Sequence, residues 1–508
     1  MKTFGRTVIY ANYTEEQLLN GEPSDVEKII LDIVKNSIDI HLNNKQEIIY
    51  LQKYLYGDQD IKNKIKLTRT DINNKGVENW AWAFMDWKKA FLLGKPIQYA
   101  PLDNVANKEI STLNRYNEFE DKDQKDQELY EDLFTVGRAF RYVSATPMTD
   151  EDETPYELLN FDVANTEVVY SSGVKHEQLL SYVVTPQECL KNVLNEETNQ
   201  YEDITIPYNE YTVYTRNKKY TLNDKSGTLQ IVDRDDMANG IHVITEYYLN
   251  RERMGLLEIG KDIFDNINYI EALDKDDIES FVNSIMVFTN ASVDQEAMDG
   301  IKQFGAVSIK STDQKKASVE LLQSRLKSID SQIYYLRNLN ALHSILSVPQ
   351  YSSSGEISNA ETGKAMLTGQ GFTSSSIRVE NEEKNFKKGD RTVLKSILKI
   401  CRNMKDSGIK TLKVSNCEIK FSRDLSDNIL VKTQALINLM TANIPPEIAN
   451  AVINLFSDPV AVTKLQEEYI SKKQELEKQI QNKKTNDEDM QIQNKKITKV
   501  EETQNQEQ

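Results

Sequence analysis

Near the start of the chain, Ile29, Ile30, Ile33, Val34 and Ile38 recur at helical spacing, and Ser24 followed three residues later by Glu27 supplies a capping signal ahead of them. Residues 1 to about 135 therefore read as mostly helical. From Gly137 to Tyr248 the pattern changes to short runs rich in Val, Tyr and Thr, at 138–144, 167–170, 180–185, 211–216 and 242–248. Asn, Gly and Asp punctuate these runs, as expected of strands joined by turns. The fold class is α+β.

Ile263, Ile267 and Ile270, then Ile278, Phe281, Ile285 and Phe288, predict a long amphipathic helix whose other side carries Asp274, Lys275, Asp276, Asp277 and Glu279. A compact insert follows, with a β-like run at 306–309 and a turn holding Lys310, Lys315 and Lys316. Val319, Leu322, Leu326, Ile329, Ile333 and Leu336 then alternate by three and four, the pattern of a helix that packs along another. Two long helices flanking a small insert describe a stalk with a tip.

Pro349-Gln350-Tyr351-Ser352-Ser353-Ser354-Gly355 is a loop by composition, either a surface connector or a functional projection. A helical region from 357 to 404 is interrupted by Gly363, Gly369 and Gly371. A strand is expected at Cys417 to Phe421 and helices from Leu425 to Glu468. Beyond Lys472 nearly everything is Gln, Asn, Lys, Glu or Asp, so little apolar area offsets the entropy of ordering, and a disordered tail is expected.

At 508 residues the chain has ample length for a sizeable core, and its net charge of -17 argues against a general duplex-gripping face. An acidic protein can still line a passage for DNA, where phosphate contacts would add drag. Cys189, Cys401 and Cys417 show no metal-ligand spacing, which suits a reducing cytosol. No run of eighteen apolar residues occurs, and the first residues lack the apolar core of a signal peptide, so a cytoplasmic protein without membrane insertion is expected.

Catalytic chemistry finds no motif. Gly355 to Gly363-Lys364-Ala365 is spaced too widely for a phosphate loop, and Ala365 lacks the hydroxyl that would hold magnesium. His41, His176, His242 and His343 are scattered, and a core or interface role outweighs metal ligation for His343. Asp235-Asp236 and Asp274-Asp276-Asp277 read as solvated acidic faces before metal sites. No cofactor is expected. Lys384, Lys388, Arg391, Lys395, Lys399 and Arg402 form one basic stripe along a helix. A solvated face or a seam for acidic residues of a neighbouring subunit outweighs DNA contact as its reading.

One stretch is more distinctive. Asn73-Asn74-Lys75 is followed by Trp80-Ala81-Trp82-Ala83-Phe84-Met85-Asp86-Trp87, holding all three tryptophans, and then by Leu92-Leu93-Gly94-Lys95-Pro96-Ile97-Gln98-Tyr99. It predicts a buried aromatic helix stopped at a left-handed Gly94 and followed by a strand. With Tyr54-Leu55-Tyr56-Gly57-Asp58-Gln59-Asp60-Ile61, it resembles the N-terminal region of tailed-bacteriophage portal proteins, the head–tail connectors, of the Bacillus-siphophage type. Ser358 to Met366 looks like that family's segment after the tunnel loop, and Ile419 to Leu425 like the strand before its crown helices. The chain departs from the family at Asn250 to Gly255, where a proline-containing loop is common, and at Asn443 to Glu447, where the crown often starts with hydroxyl residues.

The resemblance implies a portal fold assembled as a ring, a homododecamer, at one capsid vertex. Its expected parts are a wing at 1–250, a linker and first stem helix at 251–288, a clip at 289–317 and a second stem helix at 318–346. A tunnel loop at 347–358, a wing helix and strand at 359–424, a crown at 425–470 and a disordered tail at 471–508 complete it. Ile278, Phe281, Ile285, Leu322, Leu326, Ile329 and Ile333 would pack the stem, and Lys310, Lys315 and Lys316 would dock partners. Implied partners are other copies of the chain, the terminase large subunit, a head-completion or adaptor protein, major capsid and scaffolding proteins, and double-stranded DNA in the channel. The subunit would be non-enzymatic, assembled in the host cytoplasm and carried in the virion. The rival readings are a cytoplasmic helical scaffold unrelated to DNA and a packaging terminase or nuclease, which needs a phosphate loop or clustered carboxylates.

Overall fold

A computed structural model describes residues 5–67, 70–102, 107–148, 153–195, 200–282, 285–289, 318–322, 328–349, 372–422 and 429–442, with scattered positions from 444 to 475. The chain divides into a body, residues 1–423, and a C-terminal unit, residues 424–508. Strand β1 (Ile9–Ala11) leads into α1 (Glu15–Asn20), which is closed by a capping box: Thr14 accepts from the Gln17 N–H and the Gln17 side chain accepts from the Thr14 N–H. Helix α2 runs from Pro23 to Leu55. The capping signal expected at Ser24 is therefore not used. Pro23 occupies the first helical position, where its missing N–H costs nothing, and the box belongs to the helix before.

Helix α3 (Trp80–Leu93) is capped by the Asn79 side chain and stops before Pro96 as the sequence predicts, but Gly94 keeps a right-handed backbone, φ -69. It buries Ala81, Phe84, Met85, Leu92 and Leu93, while Trp80, Trp82 and Trp87 sit at its margin, so the tryptophans rim this part of the core. Then come β2 (Gln98–Pro101), α4 (Asn107–Phe119) and α5 (Lys122–Val136).

The β-rich segment contains β3 (Arg138–Ala145), β4 (Tyr156–Phe161), β5 (Thr166–Ser171), β6 (Gln178–Asn195), β7 (Gln200–Tyr214), β8 (Lys218–Asn223), β9 (Gln230–Asp236) and β10 (Ile244–Tyr248). Six form a sheet in the order β1-β5-β6-β7-β8-β9, in which β1 is parallel to β5 and the remaining pairs are antiparallel. Val26, Ile30, Ile33 and Val34 of α2 pack on Val169, Leu180, Tyr182 and Val213 of this sheet. The second sheet, β10-β3-β4, shares the larger core with the rest of α2 and with α3, α4 and α5.

Two long helices follow, α6 (Leu256–Val282) and α7 (Ser328–Leu346), separated by the antiparallel strands β11 (Ile285–Thr289) and β12 (Ser318–Leu322). Helix α8 (Phe372–Asn403) lies on β3 and β10, and β13 (Cys417–Lys420) closes the body by pairing with β2, some 320 residues earlier in register (Lys420 with Gln98). Gly137 and Gly255 allow the chain to enter α6. A Cβ on Gly255 would stand 2.2 Å from the Thr135 carbonyl oxygen, and Gly137 has φ +77 against the backbone of Arg253 and Met254. In place of a proline loop, the Asn250 side chain accepts from the Met254 N–H (2.9 Å) and donates to its carbonyl. In the C-terminal unit, α9 (Ile429–Thr441) is helical, as are positions between 462 and 475.

Candidate functional site

The stalk is shorter in helix than its periodicity predicts. The first helix ends at Val282, and Ile285-Met286-Val287-Phe288-Thr289 is a strand, paired with Ser318-Val319-Glu320-Leu321-Leu322. Both segments are dense in β-branched, aromatic and aliphatic residues without polar positions at helical spacing, and each finds a partner strand in the other. Ile285 and Leu322 are thus residues of a two-stranded ribbon at the end of the stalk, not of its helices. Phe281 lies in the last turn of α6.

Helices α6 and α7 pack side by side. Their contact lies where α6 begins and α7 ends: Gly260 brings the backbone of α6 close to Leu342, and Phe264, Ile267, Leu342 and Leu346 are buried there. At the ribbon end the picture reverses. Ile329, Ile333 and Leu336 step by four and three along one face of α7 and are 71%, 61% and 53% exposed, and Ile278 on α6 is 53% exposed. The described part of the seam seen in the sequence, Ile329, Ile333 and Leu336, is therefore left uncovered by its own chain, while a second face of α7 makes the intramolecular contact.

The acidic side of α6 is not uniformly free. Asp276 is buried and accepts hydrogen bonds from Lys64 (2.8 Å), Lys66 (3.1 Å) and both the backbone and side chain of Asn74 (2.7 and 2.9 Å). Burial opposes its charge, but these four donors win and hold its carboxyl below the ordinary range. Asn73-Asn74-Lys75, distinctive in the sequence, thus belongs to a loop docked on the stalk.

The basic stripe is real as a surface. Lys384, Lys388, Arg391, Lys395 and Arg402 are exposed on α8 and Lys399 is half-buried. Lys399 donates to the Gly240 carbonyl and Arg402 to that of Leu412, each at 2.8 Å; burial, with Arg216 nearby, pushes the Lys399 ammonium down. Lys384 reaches Asn381, and Lys388 donates to the Tyr248 hydroxyl from above its ring. Among the described residues none of the six forms an ion pair.

The opposite face of α8 carries residues that sequence reading missed. Asp390 is fully buried and meets Lys122 at 3.1 Å and the hydroxyls of Tyr99 (2.6 Å) and Tyr247 (3.3 Å). Lys122 also pairs with Asp126 at 2.7 Å, and Asp126 with Arg141 at 2.8 Å, so two cations and two carboxylates neutralise one another inside the body. Two turns earlier, Glu382 accepts from Lys88 and from the Tyr130 hydroxyl. The available signal was a carboxylate at helical spacing with Phe386, Val393 and Ile397, since a charge on an apolar face requires a buried partner.

Of the remaining expectations, Gln350, Tyr351, Ser352, Ser353, Ser354 and Gly355, the lysines Lys310, Lys315 and Lys316, and Leu326 lie outside the described residues, as does the glycine-punctuated stretch to Ala365. His343 is half-buried at the margin of the core, its ring 4.9 Å from Phe84 and its Nδ1 3.1 Å from the Val348 carbonyl. Asp235 and Asp236 pair with Lys219 and Lys218. Among the described residues no group of three or more His, Cys, Asp or Glu side chains could hold a metal ion, and no helix is long and apolar enough to cross a membrane.

Comparison with curated proteins finds no match. The family described as "Phage portal protein, SPP1 Gp6-like" matches residues 34–489, a span that takes in α2 from Val34 onward, strands β2 to β13, the stalk, α8 and most of the C-terminal unit. That match covers most of the chain, and the α+β body with its paired long helices agrees with it: the chain belongs to the SPP1 Gp6-like phage portal proteins, structural subunits of a DNA channel and not enzymes.

Proposed function

We propose that this chain is the subunit of a closed ring, a dodecamer, at one vertex of a tailed-phage capsid of the Bacillus-siphophage type, and that double-stranded DNA passes through the ring during packaging and ejection. The observation that carries this reading is the uncovered apolar row Ile329, Ile333 and Leu336 on α7, with Ile278 exposed as well near the end of α6. A contiguous apolar surface of this kind marks an interaction site, and neighbouring copies of the same helices are its natural cover. The two helices then form the stem, and the insert based on β11 and β12 is the clip.

In this reading the terminase large subunit docks on the clip while DNA is pumped in, and a head-completion or adaptor protein takes the same place afterwards. Major capsid and scaffolding proteins contact the ring as the shell forms in the host cytoplasm. Lys310, Lys315 and Lys316 serve the docking, and the loop from Gln350 to Gly355 faces the passing DNA, where hydroxyl groups contact phosphates without a strong salt-dependent grip. Negative-stain electron microscopy of the purified chain tests the reading. Rings with an open centre are expected; rods or compact dimers built from a plain coiled coil would overturn it in favour of a scaffold.

A further inference from the structure

Two hollows of opposite charge lie in the body, one against α8 and one against α4 and α5. The first, about 570 Å³, is lined by Lys175, Arg251, Arg253 and Lys388 against a single carboxylate, Glu246. Arg253 is committed to Glu246, with contacts of 3.1 and 3.2 Å, whereas Arg251 and Lys388 have no carboxylate partner among the described residues. The second, about 620 Å³, is lined by Glu118, Asp121, Asp123 and Asp126 against Arg115 and Lys122. Lys122 and Asp126 neutralise each other at 2.7 Å, so Glu118, Asp121 and Asp123 outnumber Arg115, and Asp123 holds a buried Oδ1 with no hydrogen-bond partner.

One turn of α8 connects the two hollows through a buried ion pair. Lys388, Gly389 and Thr392 line the basic hollow, while Asp390 reaches away to Lys122 in the wall of the acidic one. Two residues along a helix turn the side chain by about 200°. Tyr247 spans the turn, lining the basic hollow and donating to Asp390. A ring built from identical subunits joins two different patches on roughly opposite sides of each copy. We infer that these surfaces are the two halves of that contact, the exposed Arg251 and Lys388 at the basic hollow of one copy facing the exposed Glu118 and Asp121 at the acidic hollow of the next. The inference rests on the ring reading above and names the surfaces that close it. Charge complementarity selects a second copy of this chain as the occupant: each half is offered by the same molecule, and each leaves unpaired the charges that the other lacks.

The test is a charge exchange on the full chain, read by native mass spectrometry at fixed protein concentration. One variant carries Arg251→Glu with Lys388→Glu, the other Glu118→Lys with Asp123→Lys, and circular dichroism with a thermal melt checks that each remains folded. Each variant alone faces like charge with like charge, and its association is expected to fall at least about tenfold. Mixed in equal amounts, the two are expected to recover rings in which they alternate. Should Asp123→Lys unfold the chain, Glu118→Lys alone replaces it in the same mixing design. Normal rings from either variant alone overturn the inference, as does failure of the folded pair to rescue each other. Loss of binding to a short DNA duplex in the Arg251 and Lys388 variant, with rings unchanged, would assign the basic hollow to phosphates and also overturn it. If the unsubstituted chain forms no ring, the portal-ring reading itself fails, a result distinct from these.

Discussion

Asp390 of α8 and Lys122 of α5 stand 3.1 Å apart with almost no exposure to solvent, and through Asp126, Arg141, Tyr99 and Tyr247 they tie α8 to α5 and to strands of two sheets. Burial and the adjacent Asp390 carboxylate raise the hydroxyl pKa of both tyrosines well above its ordinary value, which keeps them as hydrogen-bond donors. Asp390→Asn removes one of two carboxylates that balance two buried cations. Breaking such a balance costs about 3–5 kcal/mol. Denaturant unfolding of the variant should show a loss of that size, and a loss below about 1 kcal/mol would mean that the cluster does not fasten α8.

Gly389, the residue before Asp390, gives a steric test of the same contact. A Cβ there would lie 2.5–2.7 Å from ring carbons of Tyr247, whose hydroxyl is itself fixed on Asp390. Gly389→Ala should therefore destabilise the fold by roughly 1–3 kcal/mol, although alanine is the better helix former. A thermal midpoint equal to or above that of the parent would show that Tyr247 can move aside.

Much of this architecture was legible in the sequence, and the misses have physical causes. The strands β3, β5 and β10 announced themselves because Val, Tyr and Phe crowd a buried face, while β9, whose Asp233, Arg234, Asp235 and Asp236 are exposed, carries an edge-strand signature that looks like a loop. The helical register of Ile278 continues numerically into Ile285 and Phe288, and only pairing with residues some thirty positions away decides that the latter two form a strand. The basic stripe was visible since one helix supplies it. Asp390 with Lys122, and Asp276 with Asn74, join residues more than 200 positions apart, beyond the reach of local periodicity.

Asp132 on α5 predicts a dependence on pH. Burial, then the charges of Asp162 and Glu131, push its carboxyl up to about 8 despite a hydrogen bond from Gln52. An unfolded aspartate loses its proton near pH 4, roughly. Between these values the unfolded chain has released a proton that the folded chain keeps, so this residue lowers stability progressively as pH rises from about 4 to about 8. Asp132→Asn should match the parent at pH 4 and exceed it in thermal midpoint at pH 8. Equal midpoints at both would refute the assignment.

Asp276 predicts the opposite sign. Its carboxyl is held below the ordinary range by Lys64, Asn74 and Lys66, so the stability it adds is present at neutral pH and lost only as pH falls through that depressed value. Asp276→Ala strands Lys64, whose side chain is nearly buried, and frees the loop at Asn74 from the stalk. Amide hydrogen exchange at residues 72–76 should rise at pH 7, with little change at β6 and β7 on the other core. Unchanged protection at Asn74 would count against this clamp.

The apolar row on α7 separates folding from assembly. Ile329 and Ile333 are 71% and 61% exposed in the single chain, so an aspartate at either position meets water there and should change the stability of the isolated subunit by no more than about 0.5 kcal/mol. Covered by the helices of neighbouring copies, the same aspartate would be an unpaired buried charge, repeated once per subunit around the ring. Ile329→Asp and Ile333→Asp are therefore expected to give folded single subunits that do not close into rings, seen as a parental circular dichroism spectrum together with a monomeric mass. Normal rings from these variants would remove the row from the interface. An unfolded chain would show instead that the row is already buried within one subunit, contrary to its exposure here.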